Sequence, residues 1–190
     1  MIKESTLDVN NDIIKFANEL KLLIPNIEKY GWYKKFVCTS DNKDYIKSQS
    51  FNKISNFIVH NKLIDIITIV NTIMNDNGFN NIIDYSNIEK INVEFHYANT
   101  DNENYEYPWS GIHNDNVNGI LVNTFICYFD VECEGGELAI YDLDENILSK
   151  IDVSSKSLNK KIIMFSGDVI HNPLKLINGH RYALSFQIPI

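Results

Sequence analysis

Val122-Asn123-Thr124-Phe125-Ile126-Cys127-Tyr128-Phe129-Asp130 is a run dominated by β-branched and aromatic residues. Such composition favours a strand, and side chains two apart share a face. Thr124, Ile126 and Tyr128 therefore fall on one side. Similar β-prone runs stand on either side of it, at Ile91–Tyr97, Leu138–Tyr141, Lys161–Phe165 and Arg181–Ile188, separated by clusters of Asn, Asp, Gly and Ser. Regularly spaced short strands of this kind predict an antiparallel double-sheet core, mostly β.

The first half has a different period. Ile13, Phe16, Ala17, Leu20, Leu23 and Ile24 recur at spacings of three and four before Pro25, which predicts an amphipathic helix. Leu63, Ile66, Ile67, Val70, Ile73 and Met74 form a second stripe, closed by Asn77-Gly78, a suitable C-terminal stop. Between them the pattern is mixed, with short strands expected at Trp32-Tyr33, Phe36-Val37 and Phe51. Asn99–Pro108 is polar and acidic and reads as a loop. The expected organisation is one domain over residues 1–190, with helical support over 1–89 and the β core over 90–190.

Composition narrows the class. The chain has 190 residues, 44 % of them hydrophobic and 12 % aromatic, with a net charge of −8. That is a folded globule, and the acid excess weighs against binding a phosphate backbone, which needs clustered Lys and Arg. No apolar run approaches the ~20 residues of a membrane span, and Met1–Ser5 lacks the pattern of a signal peptide. Cys38, Cys127 and Cys133 are sparse and odd in number, which suggests neither disulfides nor a thiolate zinc site. A reduced, cytoplasmic location is expected, with no membrane contact. The composition does not indicate an oligomeric state.

Three features carry chemistry. In Gly111-Ile112-His113-Asn114-Asp115-Asn116, His113 and Asp115 stand two apart and can offer an imidazole nitrogen and a carboxylate oxygen to one cavity. His171 lies far downstream, after Phe165-Ser166-Gly167-Asp168. Two histidines and a carboxylate with open positions is the ligand set of non-haem Fe(II) oxygenases, whereas a structural zinc would want a fourth protein ligand. Arg181 follows His171 by ten positions and shares a strand face with Ala183 and Ser185. A guanidinium and a hydroxyl there can bind a carboxylate, with Tyr128 able to reach the same group. Singly, each of these residues is better explained by a solvated turn, a surface ion pair or a core cap.

Together, His113-x-Asp115, His171 and Arg181 resemble the Fe(II)/2-oxoglutarate-dependent dioxygenases, and are most similar to the prolyl 4-hydroxylases, including the hypoxia-inducible-factor type. The resemblance spans roughly residues 90–188 and includes Tyr97, His113 through Gly119, Thr124 through Tyr128, Gly135-Gly136-Glu137-Leu138, and Arg181 through Ser185. It implies a double-stranded β-helix, a jelly-roll of the cupin kind, in which His113, Asp115 and His171 hold Fe(II). Arg181 would pair with the distal carboxylate of 2-oxoglutarate, helped by Tyr128 and Ser185, with Tyr97 and Thr124 also beside the cosubstrate. The implied chemistry consumes 2-oxoglutarate and O2, releases succinate and CO2, and hydroxylates an unactivated C–H bond, with ascorbate as an accessory reductant. Asp115 favours hydroxylation over halogenation, because the halogenating relatives have a small residue there.

The implied substrate is an amino-acid side chain, prolyl in a protein or peptide. A free amino acid or another small metabolite is the alternative, and a non-catalytic ligand-binding β-sandwich is the bland one. The substrate-side Arg and Trp of the hypoxia-sensing members are missing, since Gly119 leads to Ile120-Leu121 and the last strand ends Phe186-Gln187-Ile188. Nucleic-acid demethylases place a second Arg where Gln187 stands. Among the other histidines, His180 is expected at an exposed turn, His96 on the face opposite Tyr97, and His60 ahead of the second helix. Trp109 is a candidate for the substrate entrance or for anchoring its loop.

Overall fold

The computed structural model describes residues 1–5, 11–22, 32–37, 56–81, 83, 91–101, 111–116, 119–154 and 162–190. The element order is β1 (Ile2–Ser5), α1 (Asn11–Leu22), β2 (Trp32–Val37), α2 (Asn56–Asp76), β3 (Asn92–Asn99), β4 (Val122–Gly135), β5 (Leu138–Tyr141), β6 (Ile147–Ile151), β7 (Ile162–Ser166), β8 (His171–Pro173) and β9 (Leu176–Pro189). Six strands form one sheet in the order β1-β7-β4-β9-β3-β2, and three form a second in the order β6-β5-β8. Every strand pairing among the described residues is antiparallel.

Both helices form on the apolar stripes, whose described residues lie on their buried faces. Leu23 and Ile24 lie outside the described residues, and α2 begins early enough to take in His60, a residue expected ahead of it. Ile13, Phe16, Ala17 and Leu20 of α1, and Leu63, Ile66, Ile67, Val70 and Met74 of α2, pack against Val93, Phe95, Phe125, Phe129, Leu184 and Phe186 of the large sheet. The second helix closes with a left-handed Gly78 (φ +85°) and a Phe79 N–H that donates to the Met74 carbonyl at 3.0 Å. This is a turn that glycine makes without steric cost.

The other face of the large sheet looks toward the small one. Tyr128, Ile163, Phe165 and Ala183 enclose a second core with Leu138, Ile140, Ile151 and Val153. Alternation along each long strand thus separates two interiors, one against the helices and one between the sheets.

The expected strands are present, but β4 and β9 run further than the hydrophobic pattern suggests. Asp130 has φ 47°, and the register shifts between Phe129 and Glu132. A bulge of this kind lets the pair continue past a polar residue, carrying β9 back to Leu176. Strands β1, β6 and β8 are short additions; β6 shows its first four residues to solvent, so no alternation marks it. The expected strand at Phe51, most of the loop Asn99–Pro108, and Trp109 after it lie outside the described residues. No helix among the described residues is long and apolar enough to cross a membrane.

Candidate metal centre

The segment around His113 lies alongside β8. His113 and His171 exchange backbone hydrogen bonds, His113 N–H to the His171 carbonyl at 3.1 Å and the reverse at 2.8 Å. Two residues on, the Asp115 N–H donates to the Gly167 carbonyl at 2.9 Å, and the Gly167 N–H donates to the Val122 carbonyl at 2.8 Å. Gly167 has no room for a side chain: a Cβ there would stand 2.6 Å from Asn116 Oδ1. These bonds tie the loop to the start of β4 and bring residues far apart in sequence to one point.

At that point His113 Nε2 lies 3.6 Å from Asp115 Oδ1, and His171 Nε2 lies 3.8 Å from the same oxygen. The three ligand atoms all fall within 4.8 Å of one another, the one such cluster of three His, Cys, Asp or Glu among the described residues. Ligand bonds of roughly 2.0–2.2 Å bring such atoms around a common ion with little adjustment.

The donor set also passes a chemical test for a metal. His113 Nδ1 lies 2.9 Å from the Gly111 carbonyl, and His171 Nδ1 lies 3.0 Å from the Val169 carbonyl. A carbonyl only accepts, so each Nδ1 carries the proton and each Nε2 is left with a lone pair facing the cluster. Burial holds the His171 pKa below its ordinary value, outweighing the nearby Asp115 carboxylate, and so favours the neutral ring that a metal requires. The Thr124 hydroxyl donates to Asp115 Oδ2 at 2.5 Å, leaving Oδ1 toward the histidines. Thr124 thus orients a ligand, a role apart from the cosubstrate contact that the resemblance implies.

Across the same cavity wall stand the other candidates. Register places Tyr128 opposite Ala183 and Ile126 opposite Ser185 on the β4–β9 pair, so these residues face the space between the sheets. The Arg181 guanidinium carbon is 5.3 Å from the centre of the Tyr128 ring. Burial pushes the Tyr128 phenol up in pKa, against the opposing pull of Arg181, so it remains a neutral O–H. Ser185 Oγ is 3.5 Å from His96 Nε2.

Tyr97 requires a correction. It pairs with Tyr182, its ring centre 4.6 Å from that of Tyr182, in the core beneath the helices. It does not line the space between the sheets, because the pleat phase of β3 assigns that side to the even-numbered residues. His96 does face it, opposite Ala183, with its Nε2 3.0 Å from Glu94 Oε2. Glu94 is buried, and Asn92 Nδ2 donates both to Glu94 Oε1 at 3.0 Å and to Gln187 Oε1 at 2.7 Å. Sequence reasoning does not bring these residues together as a polar row. The only signal of it in the sequence is the alternation Asn92, Glu94, His96 within a β-prone run. His180 lies within β9, not at a turn, with its Nε2 3.7 Å from Asp130 Oδ1.

No family model matches the chain, and no curated protein matches it. Solved structures do. An oxidoreductase of the 2OG-Fe(II) oxygenase family from Burkholderia pseudomallei superposes with a TM-score of 0.62 at 12 % identity, covering 99 % of this chain and 84 % of that one. A Pseudomonas putida prolyl-4-hydroxylase gives 0.55 at 13 % identity, covering 99 % and 91 %. IDO from Bacillus thuringiensis gives 0.55 at 14 %, covering 98 % and 91 %. At such identities the shared property is the path of the chain, and that path is the double-stranded β-helix of the 2-oxoglutarate- and Fe(II)-dependent oxygenases.

Proposed function

We propose that the protein is an Fe(II)- and 2-oxoglutarate-dependent dioxygenase that hydroxylates an amino-acid side chain, prolyl in a protein or peptide. One observation carries this reading. His113 Nε2, Asp115 Oδ1 and His171 Nε2 converge within 4.8 Å, while the remaining polar atom of each of these side chains is already engaged by the protein. A site with two imidazoles, one carboxylate and, among the described residues, no fourth protein ligand suits ferrous iron with positions left open.

Iron(II) held by His113, Asp115 and His171 would supply the activation of O2 that couples decarboxylation of 2-oxoglutarate to hydroxylation of a C–H bond. The chain's own residues do the rest. Arg181 offers its guanidinium to the distal carboxylate, and the neutral Tyr128 hydroxyl can add a hydrogen bond. Ala183, between Arg181 and Ser185 on the same face, is small enough to leave room for the dicarboxylate. Ile126, Ile163, Phe165 and Leu138 make the adjoining wall apolar, which keeps water from the reacting groups.

The prolyl assignment is supported by the sequence resemblance and by a fold shared with the Pseudomonas putida prolyl-4-hydroxylase. A small polar substrate, such as a free amino acid, is a second reading. It is favoured by Asn92, Glu94, His96 and Gln187, which give the β3–β9 side of the cavity a hydrogen-bonding surface. The test is direct: protein supplied with Fe(II), ascorbate and 2-oxoglutarate is expected to release succinate, and His113→Ala to release none. Proline-containing peptides and free amino acids, screened for a mass gain of one oxygen, separate the two substrate readings. No succinate under any of these conditions would leave the ligand-binding sandwich.

A further inference from the structure

The Arg181 side chain is held on two sides by the protein itself. Its guanidinium carbon lies over the Tyr128 ring, and its Nη1 donates a hydrogen bond to the Gly136 carbonyl. Gly136 follows Gly135 in the link between β4 and β5, and both are left-handed, with φ +76° and +74°. Backbone conformation alone accounts for glycine at either position. Their surroundings differ. A Cβ on Gly135 would meet Ile177 Cγ1 at 2.8 Å and the Ile177 nitrogen and Lys175 carbonyl at 3.0 Å, its three nearest atoms, none of them from the arginine. A Cβ on Gly136 would stand 2.7 Å from Arg181 Nη1 and run into the end of Leu176. The Gly136 N–H is itself fixed to the Lys175 carbonyl at 3.0 Å, so the link has little freedom to retreat.

We propose that Gly136 is the positioning residue for Arg181. Its carbonyl holds one guanidinium nitrogen, and its bare α-carbon leaves the space that this nitrogen occupies. Arginine has five N–H donors, so anchoring through one leaves enough for a two-pronged grip on a carboxylate. Ordering the long side chain beforehand removes part of the entropy loss that binding would otherwise carry. The proposal rests on Arg181 being the anchor for the distal carboxylate of 2-oxoglutarate.

Two glycine variants separate this role from simple backbone strain. Gly135→Ala and Gly136→Ala both force alanine into a left-handed conformation, so both are expected to lower the unfolding temperature of the metal-free protein. Binding of 2-oxoglutarate to the Fe(II)-loaded protein is then measured anaerobically, by calorimetry and by the absorption band of the complex. Gly136→Ala is expected to raise the dissociation constant about tenfold, the scale of a disturbed charged hydrogen bond, and Gly135→Ala to leave it within about twofold. On an Arg181→Ala background, Gly136→Ala should add less than about twofold, since the group it displaces is gone. If Gly136→Ala does not fold, the comparison is made with Gly136→Ala combined with Leu176→Ala, which relieves the clash with Leu176 and keeps the one with Nη1. Equal affinities for the two glycine variants, or a full additional penalty on the Arg181→Ala background, would overturn the positioning role alone. A wild-type protein that does not bind 2-oxoglutarate would overturn the anchor assignment and the positioning role together.

Discussion

The two faces of the large sheet are made by the same strands and have opposite chemistry. Toward the helices, β3, β4 and β9 present Val93, Phe95, Tyr97, Phe125, Phe129, Tyr182, Leu184 and Phe186, almost all apolar or aromatic. Toward the small sheet they present Glu94, His96, Thr124, Tyr128, Arg181 and Ser185, among a few aliphatic side chains. The pleat makes this division possible, because successive residues never share a face. One face supplies burial, and the other can spend polar groups on a site. The lesson is that stability and chemistry are separable here residue by residue, and substitution at neighbouring positions should show it.

The largest contrast is between His113 and Phe186. His113→Ala, or His171→Ala, is expected to abolish iron binding and succinate release while the metal-free protein unfolds at nearly the wild-type temperature; metal content and calorimetric melting measure the two sides. Phe186 is fully buried, with its ring centre 6.0 Å from that of Phe125 in an edge-on contact. Phe186→Ala should cost about 3–5 kcal/mol of stability, read by denaturant unfolding. At low temperature the protein that remains folded should still bind iron. If both substitutions damaged stability alike, the two faces would not be separable.

Within the cavity face, the effects should divide according to what each side chain holds. Arg181→Ala is expected to weaken 2-oxoglutarate binding about a hundredfold, the scale of losing one partner of a charged pair, with iron affinity unchanged in equilibrium dialysis. Thr124→Val keeps the shape of the side chain but strips the hydroxyl from Asp115 Oδ2, inside a site where Asp115 is 5 % exposed. Partners of metal ligands typically account for about tenfold or more in affinity, so iron should bind about tenfold more weakly. The same variant should leave the 2-oxoglutarate dissociation constant at saturating iron nearly unchanged.

Much of this architecture is legible in the sequence, and the gaps have physical causes. The helix stripes at Ile13–Leu20 and Leu63–Met74 are visible because a period near 3.6 survives without knowledge of partners. His113, Asp115, His171 and Arg181 stand out by chemistry, since together they offer two imidazoles and a carboxylate to a metal and a guanidinium to an anion. What a single strand cannot disclose is its phase relative to the sheet when both candidate faces carry large or polar groups. Val93-Glu94-Phe95-His96-Tyr97 is such a case, and only the pairing of His96 with Ala183 and Tyr97 with Tyr182 decides it. Thr124 is likewise visible as a strand residue, but its bond to Asp115 crosses space. Gly136 reads as an ordinary turn until the Arg181 nitrogen beside it is seen.

The smallest effect tests that phase most sharply. Tyr97→Phe removes only a hydroxyl from a side chain that is 2 % exposed beneath the helices. If Tyr97 belongs wholly to the helix-side interior, the substitution should change stability by about 1 kcal/mol or less and leave the 2-oxoglutarate dissociation constant unaltered. His96→Phe is the complementary change, one residue away and on the other face. It keeps a ring but deletes the nitrogen that meets Glu94, so a carboxylate held at 6 % exposure loses a donor. Its consequence should appear in the cavity, as altered affinity for cosubstrate or polar substrate, whereas Tyr97→Phe should show none. Should Tyr97→Phe weaken 2-oxoglutarate binding while His96→Phe leaves every cavity ligand untouched, the phase of β3 would be inverted, and with it the division of the sheet into a packing face and a chemical one.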